Sequence, residues 1–301
     1  ALKEWQKLVG ILERAVESSY DIELSARVFA RIATIFGEQL GDRGKSIDAW
    51  RKVTGVHDED EKAWRQLERL LGAESRFSEL VTVLEKLFTL SHDLPTQKSL
   101  LYRVAQLYEN VLDQPEKAIA TWRQVLSLDE ADAGALSALG RLYEARGAYR
   151  DLCWVYTQQI ELADDEATRR PLRFAMARVY EESLGDSHEA IAAYKGALEA
   201  NARDDEALSA LSRLYEKEGQ WADHLETLDR LAELKDTASE GMARLELKLR
   251  AARVTEDKIQ EAEAAIRRYQ EILEYKTPAA QEVSDWMSAA QVEVSTMFNS
   301  D

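Results

Sequence analysis

Aromatic residues recur along this chain at a fixed interval of 72 residues, which constrains the fold more than any other feature of the sequence. Trp5, Phe77, Tyr149 and Trp221 form one column. Phe36, Tyr108 and Tyr180 form a second, and Trp50, Trp122 and Tyr194 a third. Trp64, Leu136 and Leu208 keep the same interval. Four columns with one period mean that one structural unit is copied along the chain, each copy packing chiefly on its neighbours. After Tyr194 the match resumes at Tyr269, 75 residues on, which places a three-residue insertion near 236–241, in a polar stretch that tolerates changes of length.

Each unit reads as four amphipathic helices, in the middle unit 97–112, 115–126, 132–146 and 149–162. Within the first of these, Leu101, Val104, Ala105, Leu107 and Tyr108 share one helical face. Pro115 suits a first helical turn, where its missing N–H costs nothing. Gly147 and Gly219 stand where left-handed C-terminal caps belong, and Asp129 and Asp132 where side chains accept hydrogen bonds from free N–H groups. Short connections force neighbouring helices antiparallel. The expected architecture is all-α: sixteen helices in one right-handed superhelical solenoid of antiparallel helix pairs over residues 1–301.

Composition agrees and excludes several functions. The chain has only 13 Gly and 4 Pro among 301 residues, few for a β-rich fold. A formal net charge of −17 argues against nucleic acid, whose binding needs clustered Lys and Arg. No apolar run is long enough to span a membrane, and neither membrane insertion nor a signal peptide is expected. The single cysteine, Cys153, lies on an apolar helix face beside Leu152 and Val155 and reads as a packing residue. The compartment is left open, with the cytoplasm favoured.

The spacing of Leu136, Leu139, Gly140, Tyr143, Tyr149 and Tyr156 resembles the tetratricopeptide repeat, as do Trp64 with Leu67, Leu208 with Leu211, and the segments 117–122 and 189–194. The resemblance covers essentially the whole chain, as alternating repeats of 35 and 37 residues. It departs from the family at Arg173, in place of a large apolar residue, and in lacking most prolines after the second helices. Residues 5–16 align with a second helix and 281–298 with a first, so a half-repeat is expected at either end. The chain is therefore expected to belong to a longer array or larger protein. Exposed apolar surface on 5–16 and Trp286 would otherwise favour end-to-end self-association.

No catalytic constellation is visible. His57, His92, His188 and His224 occupy unrelated repeat positions without metal-ligand spacing, and no phosphate loop or nucleophile elbow occurs. The acidic run Asp58, Glu59, Asp60 and Glu61 reads as a helix N-terminus. Neither enzyme activity nor a cofactor is expected.

In the family, the first helix of each repeat lines the concave surface, and the resemblance implies that ligand contacts come from recurring positions on it. One position holds Arg69, Arg141 and Arg213; its counterpart in the other repeat type holds Gln106, Arg178 and Arg253. One helical turn earlier stand Tyr102 and Phe174. These eight residues form a candidate groove for a protein or peptide partner, an acidic one with apolar anchors. The competing reading pairs Arg141, Arg178, Arg213 and Arg253 with carboxylates three residues on, at Glu144, Glu181, Glu216 and Glu256. The Lys and Asn of the family's carboxylate-clamp variety are not matched. The expected function is an interaction scaffold or adaptor; the alternative is a helical regulatory or spacer segment of a larger enzyme or of an envelope or motility assembly.

Overall fold

The computed structural model describes residues 2–17, 21–235 and 240–274. Among these there are fifteen α-helices and no strand. The contacts divide the chain into two compact units, Ala1–Ala145 and Arg146–Asp301. The first holds α1 (Leu2–Glu17), α2 (Ile22–Thr34), α3 (Arg43–Val56), α4 (Glu61–Ala73), α5 (Phe77–Leu90), α6 (Leu94–Asn110), α7 (Pro115–Leu128) and α8 (Ala133–Ala145). The second holds α9 (Tyr149–Leu162), α10 (Glu166–Arg178), α11 (Ser187–Ala200), α12 (Asp205–Glu218), α13 (Trp221–Leu234), α14 (Gly241–Val254) and α15 (Ala262–Glu274). Within each unit, helices pack on their sequence neighbours. Even-numbered helices are the first helices of repeats, odd-numbered ones the second. The expected sixteenth helix, 281–298, and Trp286 lie outside the described residues, as do 236–239 within the expected insertion.

Eight aspartates serve helix starts. Asp21, Asp42, Asp60, Asp93, Asp165, Asp186 and Asp204 each cap a helix, their side chains accepting from backbone N–H groups of the first turn. Asp132 does the same for Ala135 N at 2.7 Å. Pro115 opens α7 as its fixed φ suggests.

Every connection from a first to a second helix turns through one left-handed residue. In one repeat type these are Gly41, Asp113, Gly185 and Gln260; in the other they are Ser75, Gly147 and Gly219. They keep the 72-residue period, with the 75-residue step before Gln260. At Gly219 the turn closes with Gln220 N donating to Tyr215 O at 2.8 Å. The aromatic column at the start of the second helices covers these turns. A Cβ at Gly147 would meet the Tyr149 ring at 3.6 Å, and one at Gly219 would meet the Trp221 indole at 3.8 Å. Ser75 and Gln260 hold φ of 55° and 62° against the crowding of their own Cβ. Changing either to Gly is therefore expected to raise stability by about 0.5–1 kcal/mol, checked by chemical denaturation. A loss would mean that their side chains contribute more than the backbone strain costs.

The third aromatic column forms the core. Trp122, Tyr194 and Tyr269 are 3%, 3% and 0% exposed, and Trp50 is half-buried. Tyr108, in the second column, is buried with its hydroxyl donating to Glu85 at 3.1 Å. Tyr180 is only half-buried and meets Cys153, so the two members of that column are not equivalent. Cys153 is 2% exposed, and its burial pushes the thiol above its usual range, as a packing residue requires.

His224 on α13 is fully buried. Its Nδ1 lies 3.2 Å from Ser212 Oγ on α12, and its Nε2 meets no partner. Burial, then Arg250 on α14, hold its pKa down, opposed by Ser212 and by Glu216 on α12. The folded state resists a proton that the unfolded state accepts, so this contribution is complete above the unfolded pKa of about 6.5 and is lost as pH falls below it. The melting temperature of the second unit should fall between about pH 7 and pH 5, with a shallower slope in His224→Gln. Equal slopes would show that the ring is not the group that titrates.

Candidate interaction face

Ion pairs tie first helices side by side, α4 to α6 and α6 to α8 in the first unit and α10 to α12 and α12 to α14 in the second, and the ties themselves repeat. At the N-terminal end of the face, Lys98 on α6 reaches Asp129 at 2.7 Å and also Asp132, the residue that caps α8. Seventy-two residues on, Arg170 on α10 donates to Asp204, the cap of α12, at 2.9 Å. Asp132 and Asp204 are 6% and 5% exposed. The guanidinium of Arg170 holds the Asp204 carboxyl below its usual range. At Asp132, burial pushes the carboxyl up, but Lys98, the Tyr102 hydroxyl and Ala135 N outweigh it and the net direction is down.

At the C-terminal end, Arg141 on α8 meets Glu109 of α6 at 2.9 Å. Arg213 on α12 forks onto Glu181, which follows α10, with one bond of 2.8 Å. Glu109 and Glu181 are also 72 residues apart. Their side chains are about one-tenth exposed, whereas the two arginines are more than half exposed. Trp122 Nε1 donates to the other oxygen of Glu109 at 3.2 Å, so that carboxylate is held between an indole and a guanidinium. The other repeat type carries related ties, Arg103 to Glu68 and Arg250 to Glu216.

These contacts change the reading of the arginine columns. The carboxylates three residues on do not take Arg141, Arg178 or Arg213: Arg141 pairs with Glu109, Arg213 with Glu181, and Arg178 reaches Glu206 at 3.3 Å, while Glu216 pairs with Arg250. A tie between helices fixes the spacing of adjacent repeats, which a pair within one helix cannot do. Arg69 is exposed and donates to Gln66 Oε1 at 3.1 Å. Gln106 and Arg253 are exposed, on α6 and in the last turns of α14.

The two aromatics expected to receive a partner's apolar side chains face inward instead. Phe174 is 5% exposed and packs edge-on against Tyr194 at 5.2 Å, with Arg170 lying 4.3 Å over its ring. Tyr102 is half-buried, packs edge-on against Trp122 at 4.8 Å, and gives its hydroxyl to Asp132, which with burial pushes its pKa up to about 12. The pairs Tyr102–Trp122 and Phe174–Tyr194 are the same contact one period apart. Phe174 is a core residue, because at this turn the first helix looks onto the second helix rather than outward.

Sequence reasoning missed Glu109 and the indole of Trp122 and gave Glu181 to Arg178 rather than Arg213, although the 72-residue period already related the two glutamates. It also gave no sign of a cavity of about 470 Å³ in the second unit, where Arg268 and Lys248 pair with Asp229 and Glu271. Among the described residues no group of His, Cys, Asp and Glu could hold a metal ion, and no helix is long and apolar enough to cross a membrane.

Residues 99–129, 135–170 and 171–204 each match the tetratricopeptide repeat. No curated protein matches the chain. Among solved structures it is similar to YrrB, described as a TPR protein with an unusual peptide-binding site, at 15% identity and TM-score 0.34 over 66% of this chain and 96% of that one. A tetratricopeptide repeat protein from Parabacteroides merdae is similar at 14% identity and TM-score 0.34, over 91% and 99% of the two chains. Naa15/Naa10 bound to HypK-THB is similar at 14% identity and TM-score 0.44, over 92% of this chain and 43% of that one.

Proposed function

We propose that this chain, a tetratricopeptide repeat protein, is an interaction scaffold that holds a partner polypeptide along the face made by its first helices. The observation that carries the proposal is the layer of exposed guanidinium groups on that face, each of Arg141 and Arg213 held over a mostly buried glutamate of the preceding repeat. A side chain fixed in this way loses little further freedom on binding, so its contacts are not offset by ordering costs. The inward turn of Tyr102 and Phe174 makes recognition polar in each unit, through Gln106 and Arg141 in the first and through Arg178 and Arg213 in the second. Arginine suits it, because its planar fork meets a carboxylate through two hydrogen bonds.

The test is site-specific photocrosslinking in cells, with the crosslinker placed at Gln106 or Ser209 on first helices and at Lys195 or Glu199 on a second helix. A scaffold of this kind captures one partner from the first-helix positions and nothing from the others. Equal capture from both layers would support the alternative, a spacer packed on all sides inside a larger assembly.

A further inference from the structure

The α2–α4 step of the repeating face lacks the glutamate that its later counterparts hold. In the α6–α8 step, the Glu109 carboxylate accepts from Trp122 Nε1 and from Arg141. One period earlier the two donors are present as Trp50 and Arg69, but the acceptor is replaced by Gly37. Neither the Trp50 indole N–H nor the Arg69 guanidinium meets a carboxylate among the described residues; Arg69 reaches only Gln66. The other tie is missing from the same step, since Ala26 stands where Lys98 and Arg170 stand later. The helices themselves still meet: Ala26 and Ala30 of α2, Trp50 of α3 and Ala63 of α4 share one apolar cluster.

Close packing explains part of the change. A Cβ on Gly37 would stand 3.1 Å from Ser46 Oγ, which donates to Ala33 O, whereas the equivalents of Ser46 are Ala118 and Ala190. That contact accounts for the glycine. It does not account for Arg69, which stands without a carboxylate, beside a Trp50 that packing holds in place.

We infer that the α2–α4 step binds a side-chain carboxylate of an acidic partner peptide, which enters over Gly37 and takes the place of the missing glutamate between Arg69 and Trp50. Charge favours this unit over the other. Residues 1–145 carry 19 Lys and Arg against 24 Asp and Glu, whereas residues 146–301 carry 20 against 32. An acidic peptide is therefore repelled least where the open step lies. The inference rests on the scaffold reading and names the chemistry that one step of the face selects.

The test is fluorescence anisotropy of the intact chain with a terminally blocked, labelled peptide of alternating Glu and Ala. A blocked Gln and Ala peptide serves as control, and an unblocked one offers only a terminal carboxylate. Binding of the Glu peptide alone is expected, weakened by about tenfold or more in Arg69→Ala and by less in Trp50→Phe, with melting curves unchanged for Arg69→Ala. Glu109→Gly should open a second site and double the bound peptide. Undiminished binding to Arg69→Ala, equal binding of the blocked Gln peptide, binding of the unblocked peptide only, or no binding of the Glu peptide to the wild type would each overturn the inference. Partner crosslinking at Gln106 would stand unaffected by any of these results, so the two readings fail separately.

Discussion

Replacing Trp122 by Ala should cost about 3–5 kcal/mol, the largest loss expected from any single change in the first unit. The indole is 3% exposed and is the edge-on partner of Tyr102, so its removal leaves a cavity and an aromatic ring with one face unsupported. It also removes the donor that holds Glu109, whose carboxylate is then mostly buried beside Arg141 alone. Trp122→Phe keeps most of the packing and loses only the N–H, and should cost about 1 kcal/mol. The difference between the two variants in urea denaturation separates cavity from hydrogen bond. Tyr180→Ala should cost less than Trp122→Ala, because its ring is half-buried, and a larger loss there would show that the second aromatic column carries the core.

Reversing Arg141 and Arg213 together to Glu should destabilise the fold by roughly 1–2 kcal/mol per site, a figure already discounted for the solvent that reaches both guanidinium groups. From sequence, with these arginines read as a surface row, the same double change would be expected to remove binding and leave melting untouched. The structure alters that expectation, because each new carboxylate would face a glutamate that is about one-tenth exposed. Arg213 holds the Glu181 carboxyl below its usual range, so the pair's contribution is complete above the unfolded pKa of about 4.3 and fades as pH falls through the lower, folded value. The double variant should lose this acid-side component. A wild-type melting temperature in the double variant at neutral pH would mean that the ties between repeats contribute nothing.

The fold was legible because its main determinant, the copied aromatic column, is a property of spacing. Tyr149 and Leu162 bound α9 as expected, and Pro115 opens α7. Expected first-helix bounds shifted where caps decided the outcome: α6 begins at Leu94 because Asp93 caps it, three residues before the apolar pattern suggests. The left-handed turns at Ser75, Asp113 and Gln260 were hidden because no glycine marks them, although the register of Gly41, Gly147, Gly185 and Gly219 implies them. The candidate site was half legible. Periodicity placed the arginines on first helices, but the partners of Arg141, Arg178 and Arg213 lie 28 to 32 residues away on neighbouring repeats, beyond the reach of helical-wheel reasoning. Phe174 was misjudged for a related reason: one helical turn separates an outward position from one that faces the second helix.

A variant that is more stable but unable to bind gives the most direct test of the account. Gly37→Glu with Ser46→Ala gives the first repeat the residue types that Glu109 with Ala118 and Glu181 with Ala190 have at the same repeat positions, and supplies Arg69 and Trp50 with an internal acceptor like that of Arg141 and Trp122. The affinity of this variant for the partner captured at Gln106 should be measured beside that of Gly37→Gln with Ser46→Ala, which has the same shape without the charge. The Glu variant is expected to melt above the wild type and lose the partner, while the Gln variant retains more of the binding. Wild-type affinity in the Glu variant would contradict it, because the step between α2 and α4 would then be closed and the partner still held.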